Sequence, residues 1–382
     1  MGIDVILPFS GLKFFLLFFS YILFLHIFKK FLASIISYNY LLFISLVLYI
    51  ILFMPKTFQD AILYFLLYIY LAYWVFTSIN YKYIIIPMLT VALPMILYKL
   101  DIGPLYKVIG ISYVTFRVIQ AIMDSKNFGK LNFFDFTTFV LFPPTLLAGP
   151  IDRSYRFKDD LDNGYKNLTF DAIDKGWNLL IVGILFKFVF AELVNNFWMS
   201  HINLHSISLL DMTNSAYAYT TYLFFDFAGY SAMAVGLSIM IGINIPRNFN
   251  QPYLASNPQD FWRRFHITLG SWLTDYFFKP IYKWLHGFKL LKGKRLLIQN
   301  IAIIMTFLLM GLWNGLTWYY ILSGFLFGLF SAIHNTYVIH VKKGGYDFFT
   351  SFSPFVSLNL KRFLMVNAAV LALYIFSGRV PV

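Results

Sequence analysis

The stretch GLWNGLTWYY, residues 311–320, closes a long apolar run and sets one amide, Asn314, between Trp313 and Gly315. A polar side chain is costly where no water reaches it, so an amide retained there needs a partner or a purpose. An amide can hydrogen-bond a substrate or a developing oxyanion, but near neutral pH it cannot take a proton. A histidine can. His266, in FWRRFHITLGSWLTDYFF at 261–278, reads either as a core histidine satisfied by one hydrogen bond or as a general base inside a cavity. Asp226, in YLFFDFAGYS, is a carboxylate between apolar stretches. It suits an N-cap for a helix beginning near Ala228, or a membrane-buried acid with an Arg or Lys partner. Arg117 and Lys187 are similar isolated charges, and structural ion pairing or snorkelling accounts for both.

Other chemistries are poorly represented. The chain has no cysteine, which removes disulfides, thiolate nucleophiles and Cys-ligated metals. His26, His201, His205, His286, His334 and His340 show no metal-ligand spacing; His201 and His205 stand four apart, but Asn203 and Ser206 suggest a short external loop. The expectation is no metal and no bound cofactor, since no phosphate loop, nucleophile elbow or Ser/His/Asp arrangement is present. After His266 come Lys279, Lys283, Lys289, Lys292, Lys294 and Arg295, interleaved with Tyr282, Trp284, Leu285 and Phe288. Positive charge beside anionic lipid explains the lysines, and the interleaved aromatics also suit an acidic protein partner.

The elements that carry these residues follow from composition. Hydrophobic residues make up 59% of 382 positions and charged residues 12%, an excess that belongs in a membrane. The net charge of +13 is then a topology signal, and no basic soluble domain is visible for nucleic acid. The first apolar stretch is too long for a removable signal peptide. Hydropathy predicts spans near 5–27, 32–54, 60–79, 83–99, 104–122, 175–195, 208–226, 228–244, 296–313, 317–341 and 359–377. Lys29 and Lys30, Lys82, and Lys126 with Lys130 follow the odd-numbered spans. That alternation places the N-terminus outside, and an odd span count places the C-terminus inside. Residues 137–153 are apolar but broken by Pro143, Pro144, Gly149 and Pro150, so their backbone must be buried in protein or line a cavity. Read as one helix, 261–278 puts Arg264, Thr268, Ser271 and Asp275 on one face, with Trp262, His266, Leu269, Leu273 and Phe277 opposite. With no repeat and no soluble linker, residues 1–382 read as one all-α membrane domain.

NFNQPYLASNPQDFWRRFHITLGSWLTDYFF at 248–278, followed by GLWNG at 311–315, resembles the membrane-bound O-acyltransferase superfamily. FFDFAGYS at 224–231 is shared with its bacterial polysaccharide and teichoic-acid members. GISYVTFRVIQ at 110–120, AGPIDR at 148–153, GLWNGLTWYYI at 311–321 and IFSG at 375–378 are similar to the D-alanyl transfer proteins of teichoic-acid D-alanylation. Residues 1–100 match only as generic membrane helices.

The resemblance implies a ring of about eleven transmembrane helices around shorter central helices and a tunnel, in a bacterial plasma membrane. It implies transfer of D-alanyl from a phosphopantetheine thioester on a small acidic carrier protein to a hydroxyl of a teichoic-acid-type acceptor. Lys279, Tyr282, Lys283 and Leu285 fall where that carrier docks, and His266 matches one of the family's two central histidines. Trp262, Trp313 and Asp226 would line the tunnel. Asn314 stands where the family has its principal catalytic histidine. Three explanations stay open: a deliberate histidine-to-asparagine change, an inactive relative, or His266 serving as the base alone. The intact motif on both sides of Asn314 favours the first. The alternatives to D-alanyl transfer are O-acetylation of an exported polysaccharide and a non-catalytic, carrier-binding membrane scaffold.

Overall fold

In hydrocarbon every backbone N–H and C=O must be satisfied within its own segment, so apolar runs of this chain become helices. The computed structural model describes residues 9, 11–53, 56–79, 84–101, 110–203 and 207–381. The first residues of the spans at 5–27, 83–99 and 104–122, with Lys82, His205 and Ser206, lie outside the described residues. Among the described residues there is no strand, only an isolated antiparallel bridge between Phe249 and Phe265. Helical runs at Leu12–Ile35, Phe170–His201, Leu209–Met240, Arg295–Asn314, Trp318–Lys342 and Pro354–Phe376 are long and apolar enough to cross a membrane. Shorter apolar helices lie at Tyr38–Leu52, Leu66–Thr77 and Ile85–Lys99. The chain is an all-α, multi-pass membrane protein.

The residues fall into two compact units, Met1–Ile184 with Tyr230–Arg247, and Leu185–Gly229 with Asn248–Val382. The first holds α1 (Leu12–Ile35), α2 (Tyr38–Phe53), α3 (Lys56–Thr77), α4 (Ile85–Lys99), α5 (Ile111–Phe128), α6 (Phe133–Leu141), α7 (Ser154–Asp162), α8 (Gly164–Asn167) and α9 (Phe170–Ile184). The second holds α10 (Ala191–Phe197), α12 (Pro258–Trp262), α13 (Ile267–Leu273), α14 (Lys279–Leu285), α15 (Arg295–Asn314), α16 (Trp318–Lys342) and α17 (Pro354–Phe376). The long helix α11 (Leu209–Met240) contributes residues to each.

Helix α11 corrects the expectation of two spans at 208–226 and 228–244. Asp226 caps nothing: it sits within the helix and forms an ion pair with Lys187, which lies in the π-helical turn Leu185–Phe190. With its charge paired inside unit two, the carboxylate does not break the helix. One crossing fewer also removes the odd count that placed the C-terminus inside. Lys29 and Lys30 lie within α1 rather than after it, and Lys29 donates to the Leu168 carbonyl at 2.8 Å.

In the first unit the proline-broken stretch is buried, as its backbone chemistry requires. Arg117, 1% exposed, neither snorkels nor relies on a carboxylate for its hydrogen bonds. Its guanidinium donates to the Val140 carbonyl at 2.8 Å, to the Thr145 hydroxyl at 2.7 Å, and to the Phe139 and Thr145 carbonyls. A planar fork of donors suits carbonyls that the prolines leave without helical partners.

The second unit is organised on an antiparallel hairpin of α15 and α16. Gly324 and Gly328 form a small-xxx-small pair, and a Cβ on Gly324 would collide with the Phe307 carbonyl. Asn300 Nδ2 donates to Thr336 Oγ1 at 2.8 Å, and Asn335 Nδ2 to Asn300 Oδ1 at 2.7 Å, fixing the register. Asn314 is the last residue of α15, so this hairpin positions it.

Candidate active site around His266

The turn that carries His266 is not one continuous helix. Helix α12 stops at Trp262, α13 starts at Ile267, and His266 between them has φ 50° and ψ 50°. The two faces expected for 261–278 therefore do not run through 263–266. A left-handed conformation at a non-glycine residue is sparsely populated, and such strain persists where surroundings enforce it. Here the enforcement is visible. Asn250 N–H donates to the Arg264 carbonyl at 2.8 Å, and Ile267 N–H donates to the Asn248 carbonyl at 2.9 Å. The segment 248–250 thus clamps the backbone on both sides of His266.

The Asn248 side chain finishes the job. Its Oδ1 accepts from the Thr268 N–H at 3.2 Å and the Thr268 hydroxyl at 2.9 Å, and it faces His266 Nδ1 at 3.1 Å. The Thr268 backbone amide can only donate, so the Asn248 atom it meets is the oxygen. An oxygen facing Nδ1 obliges Nδ1 to carry the proton. The neutral ring then keeps its lone pair on Nε2, the form a general base needs. Asn248, His266 and Thr268 are all buried. Phe227 meets the ring edge-on at 4.7 Å, and Phe249 packs against Phe227 and Phe265 at 5.1 Å each. Asn248 was not singled out in the sequence, because 18 residues separate it from its histidine.

Trp262 packs on Phe307 of α15 at 5.2 Å and on Phe327 of α16 at 4.9 Å. Its indole Nε1 is buried without an acceptor among the described residues. Phe307 and Asn314 lie on one face of α15, two turns or roughly 10 Å apart at 1.5 Å per residue. Asn314 Nδ2 donates back to the Met310 carbonyl at 2.8 Å, and both Trp313 and Asn314 are half-buried. Asp226 is held by Lys187, as above.

On the basic segment, Leu285 does not fit the docking role expected of it. It is 6% exposed and packs with Ile298 and Ala302 of α15. Lys279 is exposed but pairs with Asp275 at 2.7 Å, and Tyr282 stacks on Phe278. The side chains that face outward include Lys283, Trp284, Phe288 and Leu290, the last 87% exposed. Alternation along the sequence could not tell which apolar residue the neighbouring helix would take.

A profile of the membrane-bound O-acyltransferase family matches residues 115–376. The chain belongs to that family. Its members transfer acyl groups, and the matched region includes His266, Asn314 and parts of both units. Over 286 residues the chain is 35% identical to a teichoic acid D-alanyltransferase of Bacillus subtilis (strain 168), covering 71% of this chain and 69% of that protein. It is 32% identical over 298 residues to a protein of the same name from Lacticaseibacillus rhamnosus, with 72% and 70% covered. A probable alginate O-acetylase of Azotobacter vinelandii is 36% identical over 237 residues, covering 59% of this chain but 44% of that protein.

Proposed function

We propose that this family member belongs to a D-alanyl transfer system, with both units acting as one acyltransferase domain in a bacterial plasma membrane. The donor would be a D-alanyl thioester on the phosphopantetheine arm of an acidic carrier protein, and the acceptor a hydroxyl of a teichoic-acid-type pathway. The observation that carries acyl transfer is His266: strained, buried, and held by Asn248 with its lone pair on Nε2. The choice of D-alanyl rests on the longer coverage of the D-alanyltransferases relative to the alginate O-acetylase.

In the reaction the acceptor hydroxyl loses its proton to a base as its oxygen attacks the thioester carbonyl. The C–S bond breaks, and the departing thiolate is protonated. Trp262 Nε1, buried and without an acceptor among the described residues, would donate to the carbonyl oxygen as it gains charge. We place His266 and Asn314 beside one water-poor passage near mid-membrane, with Trp313 and Trp262 on its wall. There water is excluded from the thioester and each hydrogen bond is strengthened. Asn314 cannot act as a base, and with it the chain is slow or silent in transfer while still binding carrier. That residue is also what favours a second reading, a scaffold that binds the carrier without turnover.

The orientation we propose puts the N-terminus outside and the basic end of the second unit in the cytoplasm. Lys289, Lys292 and Lys294 precede α15, Arg295 opens it, and Lys342 and Lys343 close its antiparallel partner α16 as last residue and C-cap, so all lie at one end of the hairpin. The carrier would dock there, on Lys283, Trp284, Phe288 and Leu290. The test is a pull-down with D-alanyl-carrier against an acetyl-donor control. Retention of carrier supports the reading; indifference to carrier with labelling by an acetyl donor replaces it with polysaccharide O-acetylation.

A further inference from the structure

The second unit contains a cavity of about 610 Å³ that plays no part in the His266 site. Its walls are the C-terminal half of α16, residues 361–368 of α17, the short 3-10 turn Phe348–Ser351 and residues 256–258 at the start of α12. Its lining combines apolar with polar and charged side chains. Phe330, Ile333, Leu364 and Ala368 make an apolar wall between two helices that are each long enough to cross a membrane. Lys342, which ends α16, and Lys361, two turns into α17, line it as well.

The lining carries two lysines against one carboxylate. Asp347 also lines the cavity, but it accepts from the Tyr337 hydroxyl and from the Phe349 N–H at 2.9 Å. Neither Lys342 nor Lys361 has a carboxylate within ion-pair reach among the described residues; Lys361 lies over the Phe349 ring at 4.6 Å. Lys343 and Arg362 add positive charge beside them. An apolar slot open between membrane helices, with two cations in its lining, fits an amphiphile whose head is anionic.

We propose that this cavity binds an anionic phospholipid, its phosphate between Lys342 and Lys361 and one acyl chain along the α16–α17 wall. The lipid bridges the end of α16 to α17, and the site uses none of the residues assigned to acyl transfer or to direct contact with the carrier. A neutral zwitterionic lipid carries its own cation to the lysines and binds more weakly.

The test uses the full chain in detergent, stripped of lipid and titrated with phosphatidylglycerol or phosphatidylcholine, with bound lipid counted by native mass spectrometry. One phosphatidylglycerol should be retained in preference to phosphatidylcholine. Lys342→Gln and Lys361→Gln should each weaken it about fivefold, and the pair together about thirtyfold. Ala368→Trp should displace it with both lysines intact. In the wild-type chain, phosphatidylglycerol carrying a photoreactive acyl chain should label peptides containing Ile333 or Leu364, which keeps the test independent of whether variants fold. Equal retention of the two lipids, no effect of the double lysine variant, or labelling elsewhere overturns the proposal. Complete displacement by millimolar inorganic phosphate would make this a free-phosphate site and also overturn it.

Discussion

Replacing Asn248 with alanine should separate the positioning of His266 from its chemistry. The substitution removes the oxygen that Thr268 N–H, the Thr268 hydroxyl and His266 Nδ1–H share. The hydroxyl can turn to another acceptor, which leaves two stranded donors. Each buried donor without an acceptor costs about 1–3 kcal/mol, so the loss should be about 2–6 kcal/mol. The backbone clamp from Asn250 and Ile267 does not use the side chain, so the turn should keep its path. Thermal unfolding in detergent should show a lower midpoint, and ¹⁵N NMR of the histidine rings should show His266 losing its single Nδ1–H tautomer. In an Asn314→His background, transfer should fall with little change in carrier binding. Asn248→Asp keeps every acceptor but adds a negative charge, which favours the imidazolium. Its transfer rate should therefore be lost at a higher pH than that of its parent. An alanine variant with unchanged tautomer and unchanged midpoint would refute the claim that Asn248 sets the ring.

Charging the buried His266 ring costs free energy, so acid should destabilise the fold through it. Thermal midpoints of the wild type should therefore decline in acid more steeply than those of His266→Gln, and parallel curves would contradict the buried, neutral ring. Trp262→Phe removes one N–H while keeping the ring packing, so kcat in the Asn314→His background should drop about 10²-fold or more with stability nearly unchanged, on the scale of an oxyanion donor. Gly324→Leu forces α15 and α16 apart and should cost several kcal/mol, read as loss of a monodisperse peak on size exclusion. Lys283→Glu with Lys289→Glu should weaken carrier binding and flatten its salt dependence, whereas Leu285→Ala should act on stability instead. Carrier affinity indifferent to salt would remove the charged docking surface.

The membrane class and most helices were legible because hydropathy and length alone decide them. The family was legible too, in the blocks around His266, Asp226 and Asn314. What sequence pattern missed depends on partners distant in the chain. Asp226 read as the cap between spans at 208–226 and 228–244, yet Lys187, 39 residues away, neutralises the carboxylate and α11 runs through. The amphipathic reading of 261–278 failed at 263–266 because the bridge from Phe249 to Phe265 overrides local helical preference. Arg117 was read through carboxylates, whereas its hydrogen-bond acceptors are carbonyls and a hydroxyl in the broken stretch. Leu285 looked available because its burial is decided by α15, which begins ten residues later.

The central claim is that the chain has the architecture of a D-alanyl transferase with position 314 as its base. The direct measurement is D-alanyl transfer from loaded carrier by the chain as it stands, beside its Asn314→His form. General-base help is typically worth about 10²–10⁴-fold, so the asparagine chain should be slower by that order and the histidine form should recover it. His266→Gln in the recovered form should lower transfer again. Robust transfer with asparagine in place, unchanged by Asn314→His, would contradict the account and move the base to His266.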